Sequence, residues 1–309
     1  MLAEPAHIPI YTDLVENYKV EYIAGGAGQN SIRVAQWMLN ASGLSNSTSY
    51  FGCVGNDTYA KQMRDQAAGD GVNVQYMTTD EEPTGTCAVL VAEDGERTLI
   101  ANLAAANKFK ADHLEVSESK AAIESSSIFY ITGFFLTVSC EAIDTIGKHC
   151  VEKNKTLCMN LSAPFLIQFF GDQMMAAMPY VDIMFGNETE AAAMGEKMGW
   201  GSDIATIAKG IASMPKASGL KSRTVVITQG SQATFVCEGG VVTEYAVEPL
   251  AKELLVDTNG AGDAFVGGFL AQLAKGAPTA KCVDAGHYAA RHIIQRSGCS
   301  YEPTCTYEG

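Results

Sequence analysis

Short apolar runs alternate with longer helical patterns along most of this 309-residue chain, and no other feature constrains its fold as strongly. Each strand-like run is rich in β-branched or apolar residues, and helical periodicity follows. This alternation is typical of an α/β fold with a mainly parallel sheet and helices on both faces. The strand candidates are 49–54, 128–133, 156–161, 181–185 and 223–228, and the helix candidates include 57–69, 139–153, 188–199 and 203–213.

Two segments break the alternation and are predicted to be hairpins. Residues 84–103 read as two strands joined by EDGE, in which Asp94-Gly95 is a hairpin-turn signal. A hairpin inserted into an α/β chain is a candidate lid over a pocket. The second pair, 233–237 and 241–247, surrounds Gly239-Gly240.

Composition narrows the class of protein. The net charge of −14 argues against nucleic acid or an anionic membrane as the main partner, because phosphate binding requires clustered Lys and Arg. The nine cysteines are odd in number and never spaced C-x-x-C, which favours free thiols in a reducing compartment over disulfides or a zinc site. The N-terminus lacks signal-peptide features, and no stretch approaches the ~20 apolar residues of a membrane span. We therefore predict a soluble, cytoplasmic protein.

The stretch DTNGAGDAFVGGF, residues 257–269, places one carboxylate at a predicted helix start near Ala261–Asp263. Gly260, Ala261 and Gly262 have little or no side chain, so their amides can converge on an anion. Asp263 is open to two interpretations. It is either a first-turn residue that stabilises the helix dipole or a general base for a hydroxyl group beside an anion hole.

The stretch AGGAGQNS, residues 24–31, precedes the helical pattern IRVAQWML. Gly25-Gly26 permits a ligand to lie against the backbone, and Asn30 offers both a donor and an acceptor. The spacing is not G-x-G-x-x-G, so a dinucleotide loop is not predicted. A helix N-terminal turn without a ligand is an equally good interpretation of this stretch alone.

The stretch FGNETEAA, residues 185–192, follows a predicted strand. Asn187, Glu188 and Glu190 therefore lie at the carboxyl end of a strand, where open α/β sheets bind ligands. Their oxygens could hold Mg²⁺ through water, because Mg²⁺ retains much of its hydration shell. The alternative is a solvated helix N-terminus with acidic residues in its first turn.

The three stretches together favour transfer of a phosphoryl group from a magnesium nucleotide to a hydroxyl group. Such a reaction needs an anion hole with a base, a ligand-binding turn and a metal site, since positioning and charge neutralisation dominate its catalysis. The chain contains no G-x-x-x-x-G-K-[ST] motif, which excludes a P-loop kinase.

These stretches resemble the two signatures and the N-x-x-E metal motif of the ribokinase-like family of carbohydrate and purine kinases. Asp257–Asp263 with Gly267-Gly268 matches the second signature, Gly25-Gly26…Asn30 the first, and Asn187…Glu190 the metal motif. Stretches such as PTGTCA, LIANLAAAN and NLSAPF extend the resemblance, over nearly the whole chain, to the branch that phosphorylates adenosine. The resemblance implies one ribokinase-like α/β domain over residues 1–309. Its mainly parallel sheet is flanked by helices, and residues 1–24 and 83–104 contribute to a small β lid.

The resemblance also implies an activity and a set of site residues. The activity is ATP-dependent phosphorylation of the adenosine 5′-hydroxyl to AMP, with Asp263 as base, Gly260–Gly262 as anion hole and Arg97 near the phosphates. The implied ATP site is Asn187, Thr228, Gly230 and His287; Asn187 and Glu190 would hold Mg²⁺ through water. Potassium activation near the anion hole is also implied. The residues implied to bind adenosine are Gly26, Asn30, Cys87, Leu99, Ala101, Leu103, Phe135, Phe165 and Asn259.

Two alternatives remain, a sugar kinase of the same family and a catalytically impaired nucleoside-binding form. The second follows from a departure at the N-terminus. The family carries a first strand, an N-x-x-x-D motif and further lid strands ahead of the region that matches Leu2-Ala3-Glu4. We expect that the native protein is longer than this chain, or that this form is impaired. The resemblance implies a monomer in the cytoplasm, with the nucleus as a second compartment.

Overall fold

The computed structural model describes residues 2–91, 97–219 and 222–309; the side chains of Val91 and Arg97 lie outside this description. The predicted turn at Asp94-Gly95 also falls outside the described residues. Within them, no helix is both long enough and apolar enough to cross a membrane.

The strands and helices alternate as the sequence predicts. The strands are β1 Thr48–Gly55, β2 Val72–Thr79, β3 Thr86–Val91, β4 Arg97–Asn102, β5 Ile128–Thr132, β6 Thr156–Asn160, β7 Ile183–Asn187, β8 Thr224–Gln229, β9 Gln232–Glu238 and β10 Val241–Tyr245. The helices are α1 Ile8–Asn17, α2 Ala27–Asn40, α3 Thr58–Gly69, α4 Ser117–Ser125, α5 Cys140–Glu152, α6 Pro164–Phe169, α7 Gly171–Ala177, α8 Glu188–Met198, α9 Ile204–Ser213, α10 Ala261–Ala274 and α11 Thr279–Ile293.

The main sheet has six strands in the order β10-β9-β8-β7-β6-β5. Strands β5 to β8 run parallel, whereas β9 and β10 form the predicted hairpin and pair antiparallel. Strands β1 and β2 form a separate parallel pair, and β3 and β4 form the predicted antiparallel hairpin. The predicted α/β class with a mainly parallel sheet is therefore confirmed, but its strands are divided among three sheets.

Two cores cover the two faces of the six-stranded sheet, because side chains alternate between faces along a strand. On β7, Met184 enters one core, while Ile183 and Phe185 enter the other. The first core includes residues of α5, α8 and α9, and the second includes residues of α2, α10 and α11. Helices thus pack on both faces, as the alternating pattern predicts.

Helix α10 makes close contacts with its neighbours, and its glycines permit them. A Cβ atom at Gly267 would lie 2.5 Å from the carbonyl oxygen of Ser31 on α2. A Cβ atom at Gly268 would collide with the carbonyl oxygen of Ala285 on α11. This close packing brings the N-termini of α2 and α10, which carry two of the predicted motifs, to the same place.

Candidate active site

The anion-binding loop is the backbone at the start of α10. Gly260 caps the helix with a left-handed φ of 77°, a conformation that favours glycine. The Ala261 amide donates to the carbonyl of Thr258 at 3.2 Å, so it is already engaged. Gly260 and Gly262 line a cavity of about 180 Å³. Since the first-turn amides of a helix have no intrahelical acceptor, this loop offers a favourable environment to an anion.

Asp263 lies in the same cavity, one residue beyond the loop. Burial raises the pKa of this carboxyl from 3.8 to about 7, and the hydrogen bond from Asn30 opposes that rise. Asn30 Nδ2 donates to Asp263 Oδ2 at 3.0 Å. A carboxyl group with a pKa near neutrality is well matched to accept a proton at neutral pH. The geometry therefore fits the predicted general base.

Asn30 is held in the first turn of α2. Its amide donates to the carbonyl of Gly26 at 2.8 Å, and Gly26 caps the helix with a φ of 96°. The side-chain oxygen of Asn30 is buried and has no hydrogen-bond partner among the described residues. Because a buried acceptor without a donor is costly, this oxygen points to a ligand that donates a hydrogen bond, such as a hydroxyl group.

Asn187 and Glu190 form a reciprocal cap at the start of α8. Asn187 Oδ1 accepts from the Glu190 amide at 2.9 Å, and Glu190 Oε2 accepts from the Asn187 amide at 2.9 Å. Both residues line the cavity, and burial raises the pKa of Glu190 to about 7. The acidic first turn is therefore a true helix cap, and it also lies in the site.

The side chains available as ligands show whether this site could hold a metal ion. No group of three or more His, Cys, Asp or Glu side chains that could hold a metal occurs in the described part of the chain. Glu190 Oε1 is engaged with Asn187 Nδ2 at 2.9 Å, yet carboxylate oxygens retain further lone pairs. Asn187 and Glu190 thus fit a hydrated Mg²⁺ that is held through water.

The cavity also contains residues that were not among the predicted site residues. Asn160 ends β6, and Tyr130 lies on the adjacent β5, so the signal that could have found them is their place near the carboxyl ends of parallel strands. The lining residues are Ala27, Tyr130, Phe134, Asn160, Ser162, Phe185, Gly186, Asn187, Glu190, Val226, Thr228, Gly260, Gly262, Asp263, Phe265 and Val266.

Comparison with known proteins identifies the family. The model of the family described as "pfkB family carbohydrate kinase" matches residues 2–305. The chain belongs to the pfkB family. Adenosine kinase 2 of Arabidopsis thaliana is 52% identical over 302 residues, which cover 97% of this chain and 86% of that relative.

Solved structures agree with the pfkB assignment. Anopheles gambiae adenosine kinase in complex with P1,P4-di(adenosine-5) tetraphosphate has a TM-score of 0.94 and 47% identity, covering 99% of this chain and 89% of that one. Schistosoma mansoni adenosine kinase in complex with adenosine and AMP has a TM-score of 0.90 and 34% identity, covering 97% and 88%. The predicted ribokinase-like fold is confirmed.

Three of the nine residues that the family resemblance assigns to adenosine, Cys87, Leu99 and Ala101, lie on the lid hairpin of β3 and β4. Cys87 pairs with Ala101, and Val89 pairs with Leu99, so these four side chains share one face of the hairpin. Cys87, Val89 and Leu99 are exposed. Val89 was not predicted, although its alternation with Cys87 is the signal that could have found it. Leu103 follows the end of β4, and the side chain of Arg97 lies outside the described residues.

Phe135, which the resemblance assigns to the adenine wall, lies next to Phe134 in this pfkB-family structure, and the two rings have different surroundings. Phe135 packs in the core, with its ring 5.3 Å from that of Phe109. Phe134 lines the cavity instead, and its ring lies 6.3 Å from that of Phe165. Both phenylalanines belong to the 3₁₀ helix Gly133–Thr137, in which successive side chains point about 120° apart. Local sequence therefore could not decide which ring lines the cavity.

The remaining predicted residues differ in whether they line the cavity. Thr228 lies near the end of β8 and lines the cavity. Gly230 turns the chain between β8 and β9 with a φ of 58°. His287 is not a lining residue; its ring hydrogen-bonds with Thr234 Oγ1 at 2.8 Å, and burial lowers its pKa. The Asn259 amide donates to Asp257 Oδ1 at 2.8 Å, and the Asn259 side-chain nitrogen is buried without a partner among the described residues.

Proposed function

We propose that this chain transfers the γ-phosphoryl group of ATP to the 5′-hydroxyl of adenosine, forming AMP and ADP. The observation that carries the proposal is the Asp263 carboxyl group, which lies beside the Gly260–Gly262 loop, is held by Asn30 and has a pKa of about 7. Relatives that are 52% and 51% identical to this chain bear the names adenosine kinase 2 and adenosine kinase 1, which supports adenosine as the acceptor.

The geometry supports a single in-line step. The 5′-oxygen of adenosine forms a bond to the γ-phosphorus as the bond from that phosphorus to the β–γ bridging oxygen breaks, and the bridging oxygen leaves with ADP. The hydroxyl proton passes to the carboxylate of Asp263, which later releases it to water. Amides of the loop at Gly260 and Gly262 lie where they can stabilise charge on the transferring group.

Asn187 and Glu190 are the residues that would hold Mg²⁺, through water. When bound there, the ion neutralises charge on the nucleotide phosphates. Asn30 would orient the ribose, since its unpartnered buried oxygen accepts a hydrogen bond from a hydroxyl group. Thr228 and Gly230 would lie on the ATP side, and potassium activation near the anion loop belongs to this proposal as well.

The lid hairpin would cover the adenine ring. Its exposed face is apolar, which suits a flat purine better than a sugar. Residues near the N-terminus bind the backbone of β4 in this hairpin. The Ala3 amide donates to the Ala101 carbonyl at 2.8 Å, and Tyr11 Oη donates to the Ile100 carbonyl at 2.6 Å. We therefore propose that residues 1–24 and 83–104 together form the lid of one domain spanning residues 1–309.

A product assay tests the proposed function. The purified chain is incubated with ATP, Mg²⁺ and adenosine, and AMP and ADP are separated by chromatography; equimolar formation is the expected result. Ribose and fructose in parallel reactions and as competitors are the control. Phosphorylation of either sugar with no AMP would replace the proposal by a sugar kinase. Adenosine binding without turnover would identify an impaired nucleoside-binding form.

The monomeric state and a cytoplasmic location are further parts of the proposal. All nine cysteines are free thiols, which supports a reducing compartment. Sedimentation of the purified chain at micromolar concentration tests the oligomeric state, and a single species near 32.8 kDa is expected.

A further inference from the structure

Arg33 is a buried arginine on α2, one helical turn beyond Asn30. It is 4% exposed, and Nε donates to Asp70 Oδ2 at 2.6 Å. The guanidinium plane also lies over the ring of Tyr301, 5.5 Å from its centroid. An arginine held by an ion pair and an aromatic ring has little freedom, so its remaining donors point in defined directions.

One of those donors reaches the segment that enters the glycine turn. Arg33 Nη1 donates to the carbonyl of Ala24 at 3.4 Å, across nine positions of sequence. Ala24 directly precedes Gly25-Gly26, and Gly26 caps α2 with a φ of 96°. Residues 19–26 form no helix or strand, so side-chain anchors decide where this segment lies.

A second anchor acts on the same segment but is apolar. The Ile23 side chain packs on the backbone of Gly298, where a Cβ atom would lie 2.9 Å from Ile23 Cδ1. Apolar packing of this kind sets an approach distance but leaves the orientation of the following peptides open. The bond from Arg33 to the Ala24 carbonyl fixes that orientation one peptide before the turn.

We propose that Arg33 is a positioning residue for the nucleoside, which acts by holding the Ala24 carbonyl and thereby the backbone of Gly25-Gly26. The inference rests on the proposed function, in which Asn30 orients the ribose, and on the family resemblance, which assigns Gly26 to adenosine. Asp70 and Tyr301 hold the guanidinium, and Arg33 itself does not touch the reacting atoms. Loss of the guanidinium would loosen the glycine turn and would leave the anion loop and the ATP side in place.

The test compares Arg33→Met, Arg33→Lys and the double variant Arg33→Met/Asp70→Asn in the full chain. The double variant removes the charge of the half-buried carboxylate that Arg33→Met leaves without its cation, so it remains informative if the single variant folds poorly. Arg64→Met is the matched control, because Arg64 also lies over a tyrosine ring, that of Tyr76, but does not reach the glycine turn.

We expect the KM and the Kd for adenosine to rise about tenfold in Arg33→Met and in the double variant, as for loss of one charge-assisted hydrogen bond. The KM for ATP and kcat should stay within about twofold of wild type, and Arg33→Lys should recover part of the loss because it retains one cationic donor. A merely structural role would raise both KM values together, or lower thermal stability with adenosine affinity unchanged, and either result would overturn the inference.

Hydrogen exchange of the unliganded chain provides a readout that does not depend on adenosine. Amides in peptides covering residues 24–28 should exchange faster in the two variants that carry Arg33→Met than in the control Arg64→Met. Equal exchange in all variants contradicts the positioning role. If wild type binds no adenosine but the exchange difference is present, the proposed function fails and the positioning of the turn stands.

Discussion

Asn30 and Asp263 are 233 positions apart in sequence, and a 3.0 Å hydrogen bond from Asn30 Nδ2 to Asp263 Oδ2 joins them. The bond links two of the three predicted motifs directly. It lowers the pKa of Asp263 while burial raises it, so it tunes the group that we propose as the base.

Removal of that bond should change the pH dependence of turnover. Asn30→Ala removes the hydrogen bond that lowers the pKa of Asp263. The pKa therefore rises, and the carboxyl group stays protonated to a higher pH. The rising limb of kcat against pH should move upward by roughly half a unit to one unit. Asn17→Ala, which removes an exposed amide bonded to Asp13, is the control. An unchanged limb would show that Asn30 does not tune the base.

Asp263→Asn should abolish the chemical step and largely spare binding. The amide cannot accept the hydroxyl proton, and we expect kcat to fall by about 10²–10⁴-fold. Adenosine affinity, measured by calorimetry, should change little because the side chain keeps its size. The control is Asp172→Asn, which alters an exposed acidic residue in the first turn of α7. Near-normal turnover in Asp263→Asn would rule out the base assignment.

The same variant should change how stability depends on pH. The folded-state pKa of Asp263 is raised from 3.8 to about 7, so between these values the folded chain binds a proton that the unfolded chain has lost. Stability of the wild type therefore falls as pH rises through this window. Asp263→Asn has no carboxyl group to lose a proton, so its stability should not fall in this window. At pH 8 its free energy of unfolding should exceed that of wild type by on the order of 1–2 kcal/mol, after allowance for the partial exposure of Asp263. Denaturant titrations at pH 4 and 8 measure the difference, which should vanish at pH 4.

Glu190→Gln should weaken the response to Mg²⁺ without breaking the cap of α8. Glutamine can also complete a capping box with Asn187, so the fold should be retained. With one negative charge removed, the Mg²⁺ concentration for half-maximal activity should rise about tenfold. Glu188→Gln, in the same turn but exposed, is the control. An equal Mg²⁺ response in both variants would contradict the metal assignment.

Gly262→Ala should raise the stability of the fold and lower the activity. Nothing lies within 4 Å of a Cβ atom at this position, and alanine is the better helix former by up to about 1 kcal/mol. The methyl group would enter the cavity beside the anion loop, and kcat should fall by about 10²-fold. Gly69→Ala, at the end of α3 with equally open space, is the control. Thermal melts and steady-state kinetics give the two readouts, and unchanged kcat would contradict the role of the loop.

Local sequence predicted those parts of the site that depend on short-range geometry. The start of α10 lies at Ala261, inside the predicted range, and the acidic residues after β7 are a helix cap as one interpretation held. These features need only neighbouring residues, since caps, turns and helix starts are decided within a few positions. The lid strands were predictable for the same reason, as alternation and a turn signal are local.

Side-chain direction at irregular segments was not predictable in this way. Phe134 and Phe135 are adjacent and identical in type, and a 3₁₀ turn decides which ring enters the cavity. The hydrogen bond between the ring of His287 on α11 and Thr234 on β9, 53 positions away, was likewise not predictable from local sequence. Such choices depend on packing partners that lie far away in sequence.

The sequence by itself determined the α/β class, the approximate bounds of most strands and of four helices, and the chemical types at the site, because periodicity and motif spacing are properties of short stretches. Only the tertiary structure decided that Asn30 meets Asp263, that Phe134 rather than Phe135 lines the cavity, and that Arg33 reaches back to Ala24. Asn30 meets Asp263 because α2 packs closely on α10, where Gly267 admits the backbone of Ser31. That packing leaves Asp263 half-buried, and the resulting desolvation raises the pKa of a common helix-start residue to about 7.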